Sequence, residues 1–279
     1  MSAGVAVLHD AVRWEEKALL EAGKRSGIPV RMVDCRELAI APGTEPPVSG
    51  TILQRCVSYY RSIHSTAALE GAGARVINTL EAALLAGNKL FTHVLLRRAG
   101  VRTPRAAVAF SAEAAVRAIE GIGYPAVLKP TVGSWGRMVS RVNDRDAAEG
   151  VIEGRESMHP SYHAHYVEEF VRRPPRDIRA IVVGDEVVAA IYRASENWKT
   201  NTALGGRAEP CEVTGELEDV CIRARDAVRG QIVGVDLMED EERGLVVHEV
   251  NGTTEYKNTV RVCGVDIPTK MLRYAAGLG

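Results

Sequence analysis

Cysteine is scarce and scattered in this 279-residue chain. Cys35, Cys56, Cys211, Cys221 and Cys263 include no CxxC pair, which excludes a disulfide frame and a thiolate zinc site and predicts reduced thiols. No apolar run approaches membrane-spanning length. Residues 1–20 lack the basic start and apolar run of a secretory signal, so the expectation is a cytoplasmic protein with no membrane partner. Charge of one sign is missing as well: 35 basic against 36 acidic residues leave a net charge of −1, with no general drive toward nucleic acid. No GxGxxG follows the first apolar strand, which argues against a dinucleotide fold, and no GxxxxGK[ST] occurs anywhere. Lysine itself is rare. Only seven of the 35 basic residues are lysine, so a lysine at a structurally marked position carries information.

What is present is an ordinary globular mix, 46% hydrophobic and 25% charged, long enough for two or three compact units. Gly4–Leu8, a periodic segment over Arg13–Arg25 closed by Gly27, and Ile28–Val33 read as β-α-β, hence a parallel, doubly wound layer. Thr51–Leu53, a helix through Ile63–Glu70 and Arg75–Ile77 complete that unit. Asn78-Thr79 caps a helix to Gly87, and Asn88 starts another, Lys89–Arg98. A second β-α-β follows: Ala106–Phe110, a helix capped by Ser111, and Ala126–Lys129. Lys129 ends that strand just before Gly133-Ser134-Trp135-Gly136-Arg137-Met138-Val139. Small residues beside a lysine suit an anion cradled by backbone N–H groups, although two glycines in a loop by themselves favour a plain β-turn. His159, His163 and His165 read as a solvated polar loop. His165–Val171 then forms a strand, and Asp177–Val183 with Glu186–Tyr192 a hairpin ended by Arg193. Leu217–Val228 reads as an amphipathic helix, and Val265–Leu272 as the start of a closing one.

The most informative stretch is Val233–Thr259. Apolar runs at Gln231–Leu237 and Gly244–Val250 flank the charged turn Met238–Arg243, a β-hairpin centred between Glu242 and Arg243. That centre sets Asp236 opposite Glu249, with Asn251 two residues on and on the same face. Two carboxylates so placed repel unless a proton or cation lies between them, and Mg²⁺ suits such oxygen ligands. A solvated acidic hairpin is the competing reading. It suits Glu239–Glu242 better than Asp236 and Glu249, which sit among aliphatic residues.

Lys89, Lys129, the glycine loop, Glu168-Glu169-Phe170-Val171, Asp177-Ile178-Arg179, Asp236 and Glu249-x-Asn251 together resemble the ATP-grasp ligases of the RimK-like branch. The resemblance covers nearly the whole chain. Within the branch the chain is most similar to the α-aminoadipate–LysW ligases, through Arg55–Ser58, Leu128–Arg137, Ala190–Arg193, Asn201–Gly206 and Glu249–Thr259. It implies an α/β ATP-grasp fold: an N-terminal domain (1–86) with a doubly wound parallel sheet, a central lid (87–166) and a C-terminal antiparallel-sheet domain (167–279), with ATP between the last two.

The resemblance further implies that Lys89 and Lys129 hold ATP phosphates beneath the 133–139 loop. Glu168, Glu169, Phe170 and Val171 would edge the adenine, and Asp177, Arg179 and Asn201 would also serve the nucleotide. Asp236, Glu249 and Asn251 would bind two Mg²⁺ ions. Arg193, Thr202, Ala203, Leu204, Gly205, Gly206, Glu255, Tyr256, Lys257, Asn258 and Thr259 would line the amino-acid site, with Arg193 steadying the developing oxyanion. The implied reaction activates the γ-carboxylate of the C-terminal glutamate of LysW, a small acidic carrier protein, as an acyl phosphate. The amino group of α-aminoadipate then displaces phosphate, in lysine biosynthesis. Asn258-Thr259 stands where the glutamate-using relatives carry Gly-Phe, and the resemblance associates this pair with α-aminoadipate; a glutamate–LysW ligase or a bifunctional enzyme is the alternative. Addition of glutamate to ribosomal protein and a nucleotide-binding module without turnover are further readings, the first opposed by Glu255–Thr259 and the second by the intact lysines and acids. Arg172, Arg173, Arg176, Arg207 and Arg261 are candidates for meeting an acidic carrier, and a dimer or tetramer is expected by analogy.

Overall fold

The computed structural model describes residues 4–41, 43–133, 136–199 and 206–277. The chain begins with β1 (Val5–His9), α1 (Trp14–Ser26), β2 (Val30–Asp34), β3 (Thr51–Gln54), α2 (Tyr59–Gly71) and β4 (Arg75–Ile77), whose strands form one parallel sheet ordered β2-β1-β3-β4. Gly27 closes α1 in the left-handed region at φ 68°, where a side chain would be strained.

Two short helices follow, α3 (Leu80–Gly87) and α4 (Lys89–Arg98). Thr79 caps the first, accepting from Ala82 N–H. Asn78 stitches instead: its amide bonds the carbonyls of Ile232 and Gly252 and the N–H groups of Gln231 and Ile232. The second sheet has the order β5-β8-β6-β7 and contains β5 (Ala106–Ala109), β6 (Ala126–Lys129), β7 (Ser140–Val142) and β8 (His165–Glu169). Helices α5 (Ala112–Ile122) and α6 (Arg145–Glu156) cover it with a core of their own around Ile119, Leu128, Ile152 and Val167. β8 pairs with β5 and β6 as far as Glu169, so the expected division at 166/167 falls inside a strand of the middle sheet.

The third sheet has the order β11-β10-β9-β12-β13 and is antiparallel: β9 (Arg176–Val183), β10 (Glu186–Ala194), β11 (Arg207–Cys211), β12 (Ile232–Asp240) and β13 (Gly244–Asn251). α7 (Gly215–Ala227) lies on one face, where Leu96 of α4 also packs with Ile178, Val235 and Val250. By packing, α4 thus belongs to the third sheet. Across the other face, α8 (Lys257–Cys263) and α9 (Ile267–Gly277) join the first sheet to the third, and Val7, Leu53, Ile181, Ile232 and Met271 share one apolar core. β7, α6, β11 and α8 carry no signal in the sequence reading. β7 is three residues long, and α6 combines two glycines with alternating charges, which blurs its apolar stripe.

Among the described residues no helix is long and apolar enough to cross a membrane.

Candidate active site

Three local decisions of the sequence place the basic residues. Asn88 caps α4 by accepting from Leu90 and Phe91 N–H at 3.0 and 3.3 Å, a cap worth about 1 kcal/mol. Lys89 therefore opens the helix, with its Nζ 2.6 Å from the Gly133 carbonyl and 3.3 Å from Glu249 Oε1. Lys129 is the last residue of β6. Its stem is buried and its Nζ lies 2.5 Å from Glu168 Oε2 on the adjoining β8. Beyond it the loop rises through Gly133, at φ 154°, to Met138, at φ 57°. A strained non-glycine residue needs something to hold it. That something is Arg155 of α6, only 2% exposed, which donates to the carbonyls of Met138 (2.8 Å) and Lys129 (3.4 Å).

The acids come from the third sheet. Asp236 stands opposite Glu249 in the β12–β13 ladder, and Gly234 opposite Asn251. Asp236 is 2% exposed, and three groups reach it. Arg179, its neighbour on β9, grips both carboxylate oxygens; Arg193 Nη2 lies 3.2 Å from Oδ2, and Asn251 Nδ2 3.3 Å from the same atom. Burial opposes the charge of Asp236, yet the Arg179 and Arg193 guanidinium groups outweigh it and hold the carboxyl far below the usual carboxylate range. Arg193, on β10, is clamped by Asp177 through two parallel bonds of 2.7 Å. Burial disfavours its charge, but Asp236 and Asp177 more than restore it. Next to Glu249, His248 is kept neutral by burial and by Lys129, and neither ring nitrogen has a partner among the described residues.

Two clefts run through this arrangement. One, between the middle and third sheets, is lined by Lys89, Lys129, Gly133, Gly136, Arg137 and Val139, and by Glu168–Val171, Asp177, Trp198 and Lys199. The other, a cavity of about 470 Å³ between the first sheet's helix α1 and the third sheet, is lined by Arg13, Trp14, Glu15, Arg179 and Asn251 and by Thr253–Glu255 and Lys257–Thr259. Arg193, Asp236 and Glu249 belong to both. The clefts meet there, so a group entering from one side can react with a group entering from the other. Two carboxylates at the junction, with the Asn251 amide beside them in the second cleft, offer oxygen donors. Among the described residues no cluster of three or more His, Cys, Asp or Glu could hold a metal, so a cation here would share its coordination with non-protein oxygens, as Mg²⁺ does with phosphate and water.

The structure relocates several expected residues. Arg179, expected at the nucleotide, lines the second cleft. Tyr256, expected at the amino-acid site, is 1% exposed in the core shared with the first sheet; its hydroxyl donates to the Glu15 carbonyl at 3.0 Å, and Arg55 lies over its ring. Met138 projects to solvent, 41% exposed, and contributes its carbonyl to Arg155. Gly206 is half-buried just before β11. Ser134, Trp135, Asn201, Thr202, Ala203, Leu204 and Gly205 lie outside the described residues. His165, read as solvated, is fully buried on β8 with Nε2 2.6 Å from Glu156 Oε1, because α6 covers it. Of the basic residues considered for an acidic carrier, Arg176 is neutralised by Glu239 and stacked on Tyr192, and Arg173 is spent on the carbonyls of Pro174, Arg176 and Trp198. Arg172, Arg207 and Arg261 are exposed.

Other residues of the clefts are not named individually by the sequence reading; Trp198 and Lys199 fall in Asn197–Gly206, a polar, glycine-ended loop that reads as a substrate lid or a binding strand edge. Trp198 packs on Phe170 with Arg141 against both rings, and Lys199 Nζ reaches the Gly136 carbonyl at 3.2 Å. The scarcity of lysine is a signal that could have marked Lys199. Arg13, Trp14 and Glu15 start α1, 241 residues before the Glu255–Lys257 segment they touch, and only the fold joins them.

A parallel-sheet domain, a middle lid sheet and an antiparallel sheet whose facing acids lie under a lysine-flanked loop define an ATP-grasp enzyme. Residues 86–275 match the RimK-like ATP-grasp domain and residues 5–85 the LysX preATP-grasp domain; the chain belongs to the RimK-like ATP-grasp ligases. It is similar to the α-aminoadipate–LysW ligase LysX of Sulfolobus acidocaldarius, 41% identical over 94% of this chain and 97% of that protein. It is also similar to the glutamate–LysW ligase ArgX of Sulfurisphaera tokodaii, 33% identical over 97% of each. The crystal structure of a RimK-domain ATP-grasp protein from Sphaerobacter thermophilus is similar at a TM-score of 0.80 and 26% identity, covering 99% of this chain and all of that one.

Proposed function

We propose that the protein joins the amino group of α-aminoadipate to the γ-carboxylate of the C-terminal glutamate of a LysW-type carrier, using ATP. The observation that carries this reading is the junction of two clefts at Arg193, Asp236 and Glu249, with Asn258 and Thr259 in the wall of the second. The greater identity to the α-aminoadipate ligase than to the glutamate ligase, 41% against 33%, supports the choice of amino acid. Both side chains are small and polar, which leaves room and hydrogen bonds for the longer acid.

ATP supplies the phosphoryl group that turns a poor electrophile, the carboxylate, into an acyl phosphate. Attack by the amine forms the amide and releases phosphate. In this reading Lys89 and Lys129 exchange their present partners, Glu249 with the Gly133 carbonyl and Glu168, for phosphate oxygens. Asp236, Glu249 and Asn251 would hold the two Mg²⁺ ions, whose charge would balance the phosphates. Arg193, held by Asp177 through Nε and Nη2, would meet the reacting carbonyl oxygen with its remaining nitrogen, Nη1.

The test is ADP release by the purified protein with Mg²⁺, ATP and LysW, comparing α-aminoadipate with glutamate. Preference for α-aminoadipate is expected. Preference for glutamate, or equal use, would keep the ligase chemistry and overturn the substrate. Absence of turnover with both would overturn the carrier as well.

A further inference from the structure

The second cleft contains four cationic side chains: Arg13, Arg179, Arg193 and Lys257. Two are committed to buried acids, Arg179 to Asp236 and Arg193 to Asp177. Lys257 is exposed and makes no ion pair among the described residues. Arg13 differs from all three. From behind, Glu16 holds it through Nε (3.2 Å) and Nη2 (2.9 Å), and Glu16 is itself fully buried and tied to Arg55 Nε at 3.2 Å. In front, its Nη1 meets a single carboxylate oxygen, Glu255 Oε1, at 3.3 Å. The Glu255 side chain is 48% exposed.

Arg13 is thus a guanidinium locked in direction by a buried acid, with its outer edge turned to the cleft and covered by a displaceable carboxylate. In the sequence Arg13 is marked only as the start of the periodic segment Arg13–Arg25.

The geometry points to Arg13 as the residue that binds the side-chain carboxylate of the incoming dicarboxylic amino acid, with Glu255 occupying that place until the substrate displaces it. This rests on the second cleft being the amino-acid site. The chemistry fits at both ends. The reacting amine belongs at the Arg193–Asp236–Glu249 junction, where the clefts meet, while Arg13 lines the second cleft away from the first. A guanidinium takes a carboxylate through paired donors, and its fixed orientation spares the ordering cost a free arginine would incur. Glu255 competes for the same edge, so it acts as a gate that favours dicarboxylic over monocarboxylic acceptors: only a second carboxylate replaces the charge that Glu255 withdraws from Arg13 Nη1.

The experiment measures steady-state kinetics for α-aminoadipate and for its side-chain amide, with ATP and LysW saturating. In Arg13→Gln the selectivity for the acid over the amide is expected to fall at least tenfold, with KM for ATP within twofold of wild type and partial recovery in Arg13→Lys. The backbone N–H of Arg13 keeps its 2.9 Å bond to Glu16 in these variants, so the start of α1 persists. Glu255→Gln is expected to lower KM for α-aminoadipate two- to fivefold, a gain that damage to the fold cannot mimic. Unchanged selectivity in Arg13→Gln, or a higher KM in Glu255→Gln, overturns the inference. If the wild type proves to use glutamate instead, the same comparison with glutamate and glutamine decides the role of Arg13 while the proposed substrate falls separately.

Discussion

Asp236 faces Glu249 because β13 carries one residue too many. Near the turn the ladder is symmetrical about Glu242, pairing Asp240 with Gly244 and Leu237 with Val247; beyond it, Asp236 pairs with Glu249 and His248 is left over as a bulge. The expected turn centre between Glu242 and Arg243 is therefore half a residue off, and the bulge cancels the error at the site. His248 lines the first cleft.

The two facing acids differ in what else they do. Asp236 neutralises two arginines in the interior, whereas Glu249 is a quarter exposed and pairs only with Lys89 among the described residues. Glu249→Gln is expected to lower turnover at least a hundredfold with little change in Tm. Asp236→Asn should abolish turnover and also lower Tm, because the half-buried Arg179 loses its acid partner. Thermal or urea unfolding beside the ADP-release assay separates the two; equal losses of stability would contradict this division.

Asn258 and Thr259 line the second cleft near the start of α8, with Thr259 fully buried. Replacing them by Gly and Phe removes two hydrogen-bonding groups and fills space. The expected outcome is a shift of at least tenfold toward glutamate in a competition assay with both amino acids. Unchanged selectivity would remove the role assigned to this pair.

Tyr256 is expected to matter for stability and not for substrate. Tyr256→Phe loses the bond to the Glu15 carbonyl, about 1 kcal/mol. Its kcat and its KM for the amino acid should stay within twofold of wild type. A large rise in that KM would place the ring back in the substrate site.

Glu169 ties the middle sheet to the tip of the β12–β13 hairpin through Arg105 and Arg243. Burial raises its pKa, but these partners outweigh burial and lower it below the usual value. A carboxylate with a depressed folded pKa stabilises the fold above its unfolded pKa and loses that effect as pH falls through the folded value. Glu169→Gln should therefore lower stability by about 1 kcal/mol or less at pH 7, given the exposure of Arg105, and by less at pH 3. Tm measured at both pH values checks the sign.

The sequence by itself determined what depends on local order: the strand end that carries Lys129, the apolar strand that carries Asp236, the cap that starts α4 at Lys89, and the alternation that puts Glu249 and Asn251 on one face. These follow from short-range periodicity and turn chemistry, which neighbouring residues decide among themselves. Only the tertiary structure decided what depends on separation. Arg13 meets Glu255 across 242 positions, and Arg55 meets the Thr254 carbonyl across 199, because α1 and β3 dock against the third sheet. Tyr256 left the substrate wall for the core for the same reason: an aromatic ring beside a polar segment is buried or exposed according to the surface that covers it, and that surface lies at the other end of the chain.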